Sequence, residues 1–290
     1  MDQAESLRQM ASQVRRKARA IAVTSGKGGV GKTSIAVNLA VALSRLGLKV
    51  GILDGDLGLA NVDIVLGITP EYTLSHVLNG QKSLEEIILP GPMGIAIFAG
   101  GSGVYELANL SQWRLQRFVQ SIGALDSQFD IILIDTGAGI SRNTMGFVTA
   151  CNEVIVVTTP ELTAITDAYG IIKLLVTDNP SVTVRVVVNM VKSEAEAEKI
   201  LASLQSVVDQ FLKTRVSLDL LGYVPHDWVV SRAIQEQCPF VLSYPGSKAA
   251  MSVEGMARKL VTGSAPAVPE GIGGILKRMA SMARWVRRRG

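Results

Sequence analysis

Residues 21–43 constrain the fold more than any other stretch. Ile21-Ala22-Val23-Thr24 is a short β-branched run. Gly26-Lys27-Gly28-Gly29-Val30-Gly31-Lys32-Thr33 is a glycine loop, and Ile35 through Leu43 is apolar at helical density. Strand, glycine loop and helix in this order form the setting in which G-x-x-x-x-G-K-[ST] has a physical meaning. Missing Cβ atoms let main-chain N–H groups close on phosphate oxygens, while the helix N-terminus faces the negative charge. The nucleotide-binding set is therefore Gly26, Lys27, Gly28, Gly29, Val30, Gly31, Lys32, Thr33 and Ser34. Lys32 is placed to reach the β- and γ-phosphates, and the Thr33 hydroxyl to ligate Mg²⁺. Lys27 is a second loop lysine that the motif does not require.

The rest of the chain reads as strand alternating with helix. Lys49–Leu53 is a strand closing on Asp54-Gly55-Asp56, followed by the loop-like Gly58–Asp63. Short helices are expected at Leu74–Gly80 and Ser83–Ile88, with Pro90 and Pro92 as breakers, then a strand at Gly94–Phe98 and a helix at Ser111–Asp126. Phe129–Asp135 is a continuous apolar run ending on an aspartate, as in parallel strands buried on both faces. A flexible loop, Thr136-Gly137-Ala138-Gly139, follows. Further strands are expected at Glu153–Val157, Val182–Val188 and Leu218–Val224. Helices are expected at Leu162–Thr177, Glu194–Leu212, Val229–Gln235 and Lys248–Val261. This order predicts an α/β fold: a three-layer, mostly parallel, doubly wound sheet whose ligands bind beyond the carboxyl ends of the strands.

That rule gathers the candidate site. Of Asp54 and Asp56, one is placed to position an attacking water and the other to reach the Mg²⁺ shell; Asp135 suits an outer-shell role on the same ion. Gly137, Ala138 and Gly139 supply a switch that moves on hydrolysis. Asn189 and Pro225-His226-Asp227 fall where a base would lie. Asn189-Met190-Val191-Lys192 lacks the Asn-Lys-x-Asp pattern of many guanine sites, which favours adenine. The expected ligands are thus ATP and Mg²⁺. His226 and His76 have no nucleophile partner in the sequence, and Cys151 and Cys238 read as structural thiols.

The net charge of +4 over 290 residues divides unevenly. Residues 1–20 carry +3 and residues 271–290 carry +6, so residues 21–270 carry −5. An acidic core argues against a DNA-binding face. No apolar run reaches the ~18 residues needed to span a bilayer, and the polar N-terminus lacks a signal-peptide core. A cytoplasmic protein is expected. Thr262–Gly271 reads as a Pro/Gly linker ending the domain. Beyond it Ile272, Ile275, Leu276, Met279, Met282, Trp285 and Val286 recur at helical spacing, with Lys277, Arg284 and Arg288 toward the opposite side. That pattern predicts an amphipathic helix lying in an anionic membrane surface, hence reversible attachment to the inner face of the cell membrane; the alternative is docking on its own domain. The domain plan is 1–20 N-terminal segment, 21–262 nucleotide-binding domain, 263–271 linker and 272–290 terminal helix.

Taken together, Lys27–Thr33, Asp54–Asp63, Asp135–Gly139 and Gly222-Tyr223-Val224-Pro225 resemble the MinD/ParA class of deviant Walker-A ATPases over roughly residues 20–262. The resemblance implies slow ATP hydrolysis in a homodimer that sandwiches two nucleotides. It also implies that Lys27 crosses to the partner's phosphates, that Asp56 activates water, and that Asn189 and Pro225 contact adenine. Within the class the chain looks most similar to the flagellar-number regulators of the FlhG/FleN branch. That likeness rests on Asp-Thr-Gly-Ala-Gly in the switch, the terminal helix, and a D-Q-A-x-x-L-R start (Asp2, Gln3, Ala4, Leu7, Arg8). In that branch the N-terminal segment stimulates the SRP-type GTPase FlhF, with Gln3 entering its active site; flagellar switch-complex proteins are further expected partners. A MinD-type division-site ATPase and a ParA-type DNA-partition ATPase are the rival readings.

Overall fold

The computed structural model describes residues 18–56, 61–100, 126–212 and 216–263, together with Gly274 and Arg278. Eight strands form one sheet: β1 (Arg19–Ser25), β2 (Val50–Gly55), β3 (Ile88–Pro90), β4 (Ala96–Phe98), β5 (Ile131–Ala138), β6 (Glu153–Thr158), β7 (Thr183–Val191) and β8 (Asp219–Pro225). Their spatial order is β3-β4-β2-β5-β1-β6-β7-β8. Every pairing is parallel except β3 with β4. The helices among the described residues are α1 (Lys32–Arg45), α2 (Val62–Leu66), α3 (Leu74–Leu78), α4 (Arg142–Ala150), α5 (Leu162–Asp178), α6 (Glu194–Phe211), α7 (Trp228–Gln235), α8 (Phe240–Ser243) and α9 (Lys248–Thr262). The fold is the mostly parallel α/β sheet that the alternating pattern predicts.

The apolar strands are continuous because helices cover both faces. β2, β6 and the first six residues of β5 are buried at every position. One core layer joins Ala22, Ile132, Val154 and Val186 to Ala168 and Leu175 of α5 and Leu204 of α6; the other joins Ile21, Leu133 and Val187 to Leu39 of α1 and Val253 of α9. α1 is buried from Ser34 to Leu43. Its Ala and Val side chains are small enough for the helix to pack between the sheet and the helices outside it.

Several sequence expectations change. The segment Ser83–Ile88 is a 3₁₀ turn, Glu85–Ile87, leading into edge strand β3. Pro90 is tolerated there because β3 sits at the edge of the sheet, where a missing N–H costs no ladder bond. α2, α4 and α8 were absent from the sequence reading. β5 runs on through Thr136 to Ala138, because Thr136 pairs with Gly55, Ala138 pairs with Ser25, and Thr136 Oγ1 donates to Val23 O at 3.1 Å. The proposed switch is therefore largely strand, with only Gly139 turning off it at φ 81°. β1 begins at Arg19, two residues before the expected boundary.

Arg19 has a clear reason to be ordered. Its guanidinium donates to both oxygens of the fully buried Glu153 at 2.6 Å and to Leu260 O at 2.7 Å. Arg185 also pairs with Glu153, and it reaches Asp219 at 3.3 Å. A buried carboxylate is tolerated only when its charge is compensated in this way. The expected helix at Ser111–Asp126, apart from Asp126 itself, and the residues expected to activate a partner, Asp2, Gln3, Ala4, Leu7 and Arg8, lie outside the described residues. So do Ile272, Ile275, Leu276, Lys277, Met279, Met282, Arg284, Trp285, Val286 and Arg288, the residues expected to meet a membrane. Gly274 and Arg278 are helical, and Arg278 Nη1 donates to Asn152 Oδ1 at 3.2 Å.

Candidate nucleotide-binding site

β1 delivers the chain to the carboxyl edge of the sheet at Ser25, whose hydroxyl donates to Lys27 O at 3.0 Å. The loop then turns through Gly29 at φ 78° and Gly31 at φ 87° into α1. Gly31 caps that helix in the left-handed conformation; no side chain accepts from the first N–H groups, and no acidic residue sits in the first turn. The helix N-terminus is left with unspent donors, which is the electrostatic arrangement an anion requires. A Cβ at Gly26 would lie 2.4 Å from the Asp167 main chain, and one at Gly31 would lie 2.3 Å from Asn189 Nδ2. Gly28 and Gly29 have nothing within 4 Å of such an atom, so the loop is walled on one side and open on the other.

Two elements meet behind the loop. Asp135, fully buried in β5, accepts from Lys32 Nζ at 2.8 Å on one oxygen and from Thr33 Oγ1 at 2.6 Å on the other. Burial pushes the Asp135 carboxyl above its ordinary range, while Lys32 and Thr33 pull it back. Asp54, at the end of β2, accepts from three main-chain N–H groups: Asp56 at 3.0 Å, Asn61 at 3.0 Å and Val62 at 3.2 Å. Burial raises it to about 6 against the opposing main-chain bonds, with Asp135 adding to the rise. Asp56 lies beside the end of β5: a Cβ at Gly137 would be 3.4 Å from its Oδ1 and 3.1 Å from Thr144 Oγ1.

These residues fit a nucleotide with a magnesium ion. Thr33, Asp135 and Asp54 offer the hard oxygen donors that Mg²⁺ takes. Ser34 Oγ, in the first turn of α1, is buried without a hydrogen-bond partner among the described residues, a donor left over for a ligand at this helix end.

At the far side, β7 bulges at Met190, which takes φ 60°. The bulge turns Asn189 inward: its Nδ2 donates to Val30 O at 2.8 Å and its Oδ1 accepts from Met190 N at 2.9 Å. Across the β7–β8 ladder Asn189 faces Val224 and Val191 faces Pro225, so Pro225 is the residue after the one opposite Asn189. Asp227 caps α7 through Val229 N at 3.3 Å, and His226 N donates to Val191 O. Lys27 folds onto its own chain, pairing with the Glu161 carboxylate and donating to Thr163 Oγ1 at 3.2 Å. Both partners of that ion pair are solvent-exposed, as are Leu162, which follows Glu161, at 79% and Ile140, just past the end of β5, at 64%.

The structure brings Lys32, Thr33, Asp54, Asp56, Asp135 and Asn189 together around one loop. Sequence alone does not single out Glu161, Thr163 or Thr144, and it carries Asn61 as one residue of the run Asp54–Asp63. Glu161, the residue before α5, offers no signal beyond its place after a strand.

The ParA family, described as a NUBPL iron-transfer P-loop NTPase, matches residues 16–261. The chain belongs to the ParA/MinD family of P-loop NTPases. It is 42% identical over 251 residues to the antiactivator FleN of Pseudomonas aeruginosa, covering 87% of this chain and 89% of that one. It is 35% identical over 264 residues to the flagellum site-determining protein YlxH of Helicobacter pylori, covering 89% and 88%. Among solved structures it resembles the cell-division ATPase MinD of Pyrococcus furiosus, with TM-score 0.69 and 27% identity over 85% of this chain and all of that one. MinD of Pyrococcus horikoshii, solved with Mg-ADP, gives TM-score 0.67 and 29% identity over 84% and 96%. As a ParA/MinD-family NTPase the chain is an ATP hydrolase with a nucleotide–Mg²⁺ site. Among its described residues no helix is long and apolar enough to cross a membrane.

Proposed function

We propose that this chain is an ATP-dependent dimeric switch that cycles on and off a membrane and sets flagellar number or placement. The observation that carries the reading is the 42% identity to FleN along nearly the whole ATPase domain, joined to the D-Q-A-x-x-L-R start at Asp2–Arg8. The likeness to YlxH supports the same assignment.

The chemistry follows from the site. Loop N–H groups and Lys32 hold the triphosphate of ATP, and Asn189 and Pro225 hold adenine. Thr33, with Asp135 and Asp54 behind it, would hold Mg²⁺, which when bound would neutralise charge on the phosphates. To engage them, Lys32 leaves Asp135. Asp56 orients the attacking water. Lys27 leaves Glu161 and reaches the nucleotide of a second copy, whose surface covers Ile140 and Leu162. Burial of such exposed apolar side chains contributes roughly 25 cal/mol per Å² of apolar area removed from water, before ordering costs. Dimerisation brings two basic terminal helices together, raising membrane avidity by roughly 10²–10⁴ when both engage one surface. The −5 core supports a membrane and protein partners over duplex DNA.

The N-terminal segment activates an FlhF-type GTPase through Gln3. A peptide of residues 1–20 is expected to accelerate FlhF GTP hydrolysis, and its Gln3→Ala form is not. Equal stimulation by both peptides, or none by either, rejects that assignment and leaves the MinD-type division-site ATPase as the better reading.

A further inference from the structure

One buried side chain gathers the residues on either side of positions 57–60. Asp54, 2% exposed, accepts Asp56 N on Oδ1, and Asn61 N and Val62 N on Oδ2. Residues 56 and 61, five apart in sequence, are thereby held at one carboxylate. The side chain of Asn61 then returns across the turn and donates from Nδ2 to Asp56 Oδ2 at 3.3 Å. With Oδ2 engaged there, Oδ1 of Asp56 points to the end of β5, where Gly137 has no side chain to obstruct it. Beyond Gly137 stands Thr144 Oγ1, itself 2.9 Å from Ser141 Oγ at the start of α4.

We infer that Asn61 is a positioning residue for hydrolysis: its amide selects the orientation in which Asp56 presents Oδ1 to the attacking water beside Gly137. Asp54 supports Asn61 by fixing its main chain. A carboxylate side chain on a turn has several rotamers of similar energy, and a base that spends most of its time turned away loses rate in proportion. Asn61 does not touch nucleotide in this assignment. Its effect therefore belongs to the turnover rate and not to affinity.

The inference rests on Asp56 being the water-orienting group, and a double-mutant cycle separates the two claims. Single-turnover ATP hydrolysis and ATP affinity are measured on the full chain for wild type, Asn61→Ala, Asp56→Ala and the double variant. Asn61→Ala is expected to lower the hydrolysis rate about tenfold, the factor carried by one hydrogen bond of about 1.4 kcal/mol, with ATP affinity within about twofold of wild type. In the Asp56→Ala background the same change should do nothing further. Asn61→Gln, which keeps an amide donor, should recover part of the loss. Asn61→Asp, near in size but without the donor, should be at least as slow as the alanine form, and it serves if Asn61→Ala does not fold.

Unchanged turnover in Asn61→Ala or Asn61→Asp overturns the inference. So does a further loss in the Asp56→Ala background, or a fall in affinity that matches the fall in rate. Full activity in Asp56→Ala would instead remove Asp56 from its role and take the inference with it.

Discussion

Gly31→Ala offers a sharp test of the loop geometry, because the structure assigns two separate costs to one methyl group. Gly31 sits at φ 87°, where an L-residue is disfavoured by roughly 1–2 kcal/mol. The new Cβ would also stand 2.3 Å from Asn189 Nδ2, closer than any contact can be, so Asn189 must move. Its bond to Val30 O is then lost in a buried setting, at about 1–3 kcal/mol. The sum is roughly 2–5 kcal/mol of folding stability, a large share of a typical domain's total. Gly28→Ala is the matched control, with no neighbour within 4 Å of its Cβ and no positive φ; a change within about 0.5 kcal/mol is expected. Urea denaturation of both variants without nucleotide gives the comparison directly. Calorimetric titration with ATP should add a loss of affinity in Gly31→Ala, because Asn189 leaves the proposed base site. Equal stability of the two variants would refute this account of how the loop is walled.

Two further outcomes are expected. Glu161→Gln weakens the ion pair that holds Lys27 to its own chain; because both partners are exposed each pair is worth at most about 1 kcal/mol, so ATP-dependent dimers should tighten by at most about fivefold for each pair released, in sedimentation velocity. Weaker dimers in that variant would mean that Glu161 supports the assembled state and does not compete with it. Asp54 is raised from 3.8 to about 6 in the folded chain, so the fold binds its proton more tightly than the unfolded chain does. Its favourable contribution is present below the unfolded value and is lost as pH rises through the folded one. Relative to Asp54→Asn, wild type should therefore lose about 3 kcal/mol of unfolding free energy between about pH 3 and pH 7. A pH-independent difference between the two would argue that Asp54 is ionised throughout.

The catalytic skeleton was legible because its signals are local. The glycine loop, the aspartates ending β2 and β5, and the apolar strands each declare themselves within ten residues. What escaped the sequence reading depends on pairing across the sheet. Thr136–Ala138 looked like a glycine-rich loop until the ladders from Gly55 and Ser25 claimed it. α4, Arg142–Ala150, carries Asn, Thr and Gly, poor helix formers whose weakness hid the Ser141 cap on Thr144 N. The Lys27–Glu161 pair spans 134 residues and no spacing could announce it. Asn61 was in view as part of a matching run, but its reach back to Asp56 follows from the grip of Asp54 on the turn.

The central claim is that nucleotide state controls assembly through the loop holding Lys27. Light scattering on the Asp56→Ala chain, which should bind ATP and fail to hydrolyse it, tests this directly. With ATP and Mg²⁺ the account predicts a species of twice the 30.9 kDa chain mass, and with ADP a monomer. Adding Lys27→Ala should return the ATP sample to monomer without loss of ATP binding. A mass that is the same in ATP and ADP, or a dimer that survives loss of Lys27, would contradict the account.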